Sequence, residues 1–115
     1  MKISIDDLRT RSCKPCEGGV PALTRADAQK LLAQIPGWAL SEHASEISRS
    51  FSFRNYHETM AFVNAIAWIA HREDHHPDLD VGYSRCVIRY STHAVKGLTE
   101  NDFICAAKIN ALIGE

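Results

Sequence analysis

The sequence predicts an α+β domain of order α-β-β-α-β-β-α, with a four-stranded antiparallel sheet covered on one face by helices. Three observations carry this reading. Three segments with helical periodicity each follow a residue suited to an N-cap. Four short segments between them alternate apolar and polar residues, the period of a half-buried strand. The strands come in consecutive pairs, which suits antiparallel hairpins rather than parallel crossovers.

The elements follow in order. Residues 1–22 lack a clean period, contain Cys13-Lys14-Pro15-Cys16, Gly18-Gly19 and Pro21, and read as an irregular N-terminal arm. Residues 23–115 read as one domain. Thr24 with Asp27 resembles a capping box, and Ala28, Leu31, Leu32 and Ile35 make one apolar helical stripe that Pro36-Gly37 ends. Trp38 and Leu40 open a first strand. Ile47, Phe51 and Phe53 alternate with serines in a second, where Arg49 interrupts the apolar face. Asn55, with Glu58 three residues on, starts a long helix running to about Asp74. The middle of that helix, Met60 to Ala70, is apolar nearly all round, so it either lies between layers or forms a subunit contact, the favoured reading in so small a chain. Pro77 pushes His76 out of helical conformation. Leu79, Val81 and Tyr83 mark a third strand and Cys86, Ile88 and Tyr90 a fourth, with Ser84-Arg85 as a tight connection. Thr99 and Asp102 form a further possible capping box before a last helix carrying Phe103, Ile104, Ala107, Ile109, Leu112 and Ile113.

Composition narrows the function. A length of 115 residues suits one domain with a real core. Thirteen basic against fourteen acidic residues leave no global basic field for direct nucleic-acid binding. No apolar run approaches a membrane span. The N-terminus shows no apolar h-region, and four cysteines without a secretion signal suggest reduced thiols in the cytoplasm. There is no Gly-rich phosphate loop or dinucleotide fingerprint.

Histidine is the unusual residue: six are present, four of them between positions 71 and 93. An antiparallel hairpin centred on Ser84-Arg85 would set His76 opposite His93 at its open end, with His75 beside them. The neighbourhood survives a register slip of one or two residues. Three imidazoles in one corner suit acid–base chemistry, because one can donate a proton near neutral pH while another accepts. Asp102, just beyond a short loop, can orient an imidazole or favour its cation.

His75-His76-Pro77, Tyr83, Ser91-Thr92-His93 and Lys96-Gly97-Leu98-Thr99-Glu100-Asn101-Asp102, in that order, resemble the pterin-4a-carbinolamine dehydratase family. The Cys-x-x-Cys arm looks like that of bacterial members linked to phenylalanine hydroxylase. The resemblance implies removal of water from a 4a-hydroxytetrahydropterin, giving quinonoid dihydropterin for recycling, with no metal or organic cofactor. It implies acid–base work by His75 and His93, with His76 shaping the site and contacting the pterin. It implies that Thr92, Ala94 and Val95 line the substrate and that Asp102 completes the pocket; Pro77 needs no role beyond fixing the backbone. Many family members carry Glu where this chain has His71, which exchanges a carboxylate for a neutral or cationic group in a supporting position. The resemblance also implies a homodimer or homotetramer and an aromatic amino acid hydroxylase as a possible protein partner.

Blander readings stand beside these. His75 and His76 also suit a helix C-terminus, and Asp102 is explained by capping alone. Some relatives are protein-binding or assembly modules without catalysis. Cys13, Cys16, His71 and His75 could instead form a small metal site, since His71 and His75 are four residues apart. Cys86 and Cys105 lie in apolar patterns and read as core thiols.

Overall fold

A computed structural model describes residues 5–15 and 21–115. Its elements are α1 (Ile5–Thr10), α2 (Arg25–Leu32), β1 (Ala39–Leu40), β2 (Ile47–Ser52), α3 (Tyr56–Glu73), β3 (Asp78–Val81), β4 (Arg85–Tyr90), a 3-10 turn at His93–Val95, and α4 (Glu100–Leu112). The four strands form one antiparallel sheet of order β1-β2-β4-β3. From residue 23 onward the order is that read from the sequence.

The arm departs from its reading as irregular. It contains α1, which packs on α4 through the fully buried Leu8. A six-residue helix is too short to show an amphipathic period, so pattern alone misses it. Cys16 lies outside the described residues, so the Cys-x-x-Cys pair is not described as a unit.

The sheet is one-sided. Ile47, Arg49 and Phe51 pair with Tyr90, Ile88 and Cys86, and all but Arg49 are buried beneath the helices. The opposite face is Ser48, Ser50 and Ser52 against Arg89, Val87 and Arg85. Arg49 is accommodated on the inner face because its guanidinium lies 4.5 Å from the Phe51 ring centre and donates to the Pro36 carbonyl. The same guanidinium explains Gly37, whose φ is +88°: a Cβ there would stand 2.5 Å from Arg49 Cζ.

The caps fall where the sequence puts them. Thr24 accepts from the Asp27 amide and Asn55 from the Glu58 amide. α2 stops at Leu32, earlier than the apolar stripe suggests, yet Ile35 stays fully buried in the turn that follows. α3 ends at Asp74 in the left-handed conformation, with the His75 amide bonded back to the Ala70 carbonyl. That turn throws His75, His76 and Pro77 out of the helix and into the link to the edge strand β3. Leu79 and Val81 on β3 and Tyr83 beyond it are exposed, as is Trp68 on α3.

Candidate active site

The site forms where three elements end together: the C-terminus of α3, the end of β4 and the start of α4. The hairpin pairs Asp78 with Arg89, so the register runs two residues short of the one expected, and its continuation sets His76 opposite Ser91 rather than His93. The shift arises at the turn, where the Gly82 amide bonds to the Arg85 carbonyl, so the connection is Tyr83-Ser84, one residue earlier than Ser84-Arg85. The neighbourhood nevertheless holds: His75, His76, Thr92, His93 and Ala94 line one cavity of about 370 Å³.

Asp102 is the hub beneath that cavity. It is fully buried in the first turn of α4. Its Oδ1 lies 2.6 Å from His75 Nε2. Its Oδ2 accepts from the Thr92 hydroxyl at 2.8 Å and from the Thr99 amide at 3.0 Å. Thr92 and Thr99 hydroxyls are 2.9 Å apart; with the Thr92 proton committed to Asp102, Thr99 donates to Thr92. Capping and site support are thus one arrangement: one carboxylate oxygen closes the helix end while the other holds the imidazole.

The His75 ring lies flat against Tyr90, 5.5 Å between centres and 9° between planes. Burial pulls the His75 imidazole toward the neutral form, but the hydrogen bond and charge of Asp102 outweigh it, and the net direction is upward from its ordinary value. Burial raises the Tyr90 phenol, with the neighbouring Cys105 adding to the rise, so this ring is a neutral packing surface.

The remaining sequence-named residues divide. His93 is exposed on the 3-10 turn and His76 is exposed beside it, both facing the cavity. Pro77 and Val95 lie outside the cavity lining. His71 is exposed and set against Trp68, 5.7 Å between ring centres, and is not among the lining residues. Its spacing from His75 does not make a ligand pair, because His75 lies beyond the helix end and points its Nε2 at Asp102. Among the described residues, no group of three or more His, Cys, Asp or Glu side chains could hold a metal ion.

The structure adds a wall that sequence reasoning missed. Residues 11–15 form a strap, and Lys14 and Pro15 line the cavity with Glu73, Asp74, Ser91 and Asn101. Asn101 clamps the strap backbone from both sides, accepting from the Lys14 amide at 3.0 Å and donating to the Lys14 carbonyl at 2.6 Å. Glu73, nearly buried, accepts from the Cys13 amide at 2.8 Å. The one available signal was polarity: Asn101 and Glu73 are polar residues at positions the helical pattern buries.

Comparison with known proteins identifies the family. The profile of the pterin 4 alpha carbinolamine dehydratase family matches residues 21–112. A relative from Nitrosomonas europaea, provisionally named a pterin-4-alpha-carbinolamine dehydratase, is 61% identical over 110 residues, covering 95% of this chain and 96% of its own. One from Nitrosomonas eutropha with the same provisional name is 59% identical over 111 residues, 96% of each chain. Among solved structures, a transcriptional coactivator/pterin dehydratase from Brucella melitensis aligns with a TM-score of 0.77 at 32% identity, covering 81% of this chain and 99% of its own. With its match over most of its length and its four-stranded sheet carrying the histidine corner, the chain belongs to the pterin-4a-carbinolamine dehydratase family, a family of hydro-lyases.

Proposed function

We propose that the protein dehydrates a 4a-hydroxytetrahydropterin to quinonoid dihydropterin, with His75 as acid and His93 as base. The observation that carries this assignment is the Asp102–His75 pair at the cavity floor. Loss of the 4a-hydroxyl needs a proton delivered to its oxygen, and an imidazole held cationic by a buried carboxylate supplies one near neutral pH. Water then leaves as electron density from a ring nitrogen forms the new double bond. The ring N–H proton passes to His93, which solvent can reset because it is exposed. Charge and atoms balance without an oxidant. His76, Thr92 and Ala94 contact the pterin, while Asp102 acts through His75 as a positioning residue.

Recycling of tetrahydrobiopterin for phenylalanine hydroxylation, with an aromatic amino acid hydroxylase as partner and the cytoplasm as location, completes the proposal. It is supported by the family and by the cysteine usage. We further propose a homodimer or homotetramer built on the β3 edge and the outer face of α3, where Leu79, Val81, Tyr83 and Trp68 are exposed. Sedimentation at micromolar concentration checks this, and a clean monomer contradicts it. The same apolar surface is what a protein-binding role would use; a folded oligomer without turnover would favour that second reading.

The decisive experiment generates the carbinolamine with a phenylalanine hydroxylase and follows dihydropterin absorbance. The wild type accelerates its appearance, and the double variant His75→Ala/His93→Ala, still folded, does not. Full retained acceleration in that variant refutes the assignment of roles.

A further inference from the structure

Two thiols that the proposed reaction does not use meet behind the cavity. Cys13 Sγ in the strap lies 3.6 Å from Cys105 Sγ in α4, although the residues are 92 positions apart in sequence. Cys105 is fully buried, one turn beyond Asp102, with its sulfur 4.0 Å from the His75 carbonyl oxygen. Cys13 is half-buried and so partly open to solvent. The strap carrying Cys13 is anchored through main-chain hydrogen bonds to Glu73 and Asn101, whereas α4 is fixed in the core. The strap is therefore the side that moves, and the sulfurs need approach by only roughly 1.5 Å to reach bonding distance. The family match begins at residue 21, so this strap is an addition to the matched domain.

We propose that Cys13 and Cys105 are a reversible redox pair whose disulfide fixes the strap to α4 beside the catalytic cavity. The oxidant is a peroxide. The Cys13 sulfur gives up its proton as it attacks one peroxide oxygen, the O–O bond breaks, and Cys13 becomes a sulfenic acid while the departing hydroxide takes that proton and leaves as the first water. The Cys105 sulfur then attacks the Cys13 sulfur. The S–O bond breaks, and hydroxide departs with the Cys105 proton as the second water. Two thiols lose two electrons and two protons, and one hydrogen peroxide becomes two waters. A dithiol reverses the step. Because Lys14 and Pro15 directly follow Cys13 in the cavity wall, the bond restrains the wall itself. This chemistry stands independently of the dehydratase reading.

The test treats the wild type and the Cys16→Ser variant with hydrogen peroxide and maps non-reduced peptides. The expected result in both is a Cys13–Cys105 linked peptide, loss of two free thiols and recovery of both with dithiothreitol. Hydrogen exchange across residues 11–15 slows in the linked form. The Cys13→Ser variant, changed at a half-buried position, folds and shows neither effect. A Cys13–Cys16 bond in the wild type with no Cys105 link in Cys16→Ser overturns the proposal. So does retention of all thiols, or oxidation past the sulfenic stage without a link.

Discussion

Helix α4 carries two buried polar hubs, Asp102 at its start and Asn110 near its end, and both are fully buried. Asn110 Oδ1 accepts from Trp38 Nε1 at 2.8 Å and from the Arg49 guanidinium at 2.9 Å, and its Nδ2 donates to the Pro36 carbonyl at 3.0 Å. Each partner there is a permanent donor or a backbone carbonyl, so the hub locks the α2–β1 connection and changes with nothing. Asp102 is bonded as completely, but one of its partners is an imidazole that titrates and borders a cavity. Equal burial therefore serves different ends. A satisfied buried polar group stabilises a fold; coupling it to a titratable group that reaches substrate makes it part of a reaction.

The largest expected effect separates the hubs by activity. Asp102→Asn keeps the shape but removes the charge that favours the His75 cation, so turnover should fall about 10²–10⁴-fold, the usual worth of one proton transfer. Asn110→Ala should leave turnover per folded molecule near wild type. Steady-state rates normalised to folded protein check both, and equal losses would erase the distinction.

Stability should sort the other way. Asn110→Ala strands the Trp38 and Arg49 donors and should cost about 1–3 kcal/mol in urea unfolding. Thr92→Val removes one donor to Asp102 and should cost about 1 kcal/mol, with a measurable fall in turnover because the carboxylate is less firmly held. A Thr92→Val protein as active as wild type would show that the Thr92 hydroxyl serves the fold alone.

The Asp102 hub also makes stability pH-dependent with a definite sign. His75 is raised in the folded protein, so its contribution is fully present below its unfolded value near 6.5 and is lost as pH rises through the higher folded value. The wild type should lose stability relative to Asp102→Asn across that window, measured by thermal melts at a series of pH values. A constant difference between the two would contradict the ion pair. The smallest effect expected is at His71: being exposed against Trp68, its replacement by Ala should change turnover by less than about twofold.

Much of this was legible in the sequence because it is local. Period-two alternation around Ile88 and capping residues at Thr24, Asn55 and Thr99 name their elements without help from the rest of the chain. His75, His76 and His93 meet because a hairpin folds back on itself, and a two-residue register slip did not separate them. What escaped depends on contacts between distant segments. The strap sits in the wall only because Glu73 and Asn101 bind its backbone, and backbone recognition leaves no mark on the strap's own side chains. His71 shows the opposite failure: its position in the motif suggests the site, but its place on α3 turns it to solvent beside Trp68. Asn110, a lone polar residue in an apolar stripe, gave no hint that Trp38 and Arg49 converge on it.

The most direct test of the Asp102–His75 pair as the acid of the reaction is the pH dependence of kcat for carbinolamine dehydration in the wild type and in Asp102→Asn. The wild type should hold its rate to a pH above the ordinary imidazole value and lose it as His75 deprotonates. In Asp102→Asn that falling limb should move to lower pH, since burial then acts on His75 without its counter-charge. A limb that stays in place when Asp102 is neutralised would contradict the assignment and move the acid elsewhere in the cavity.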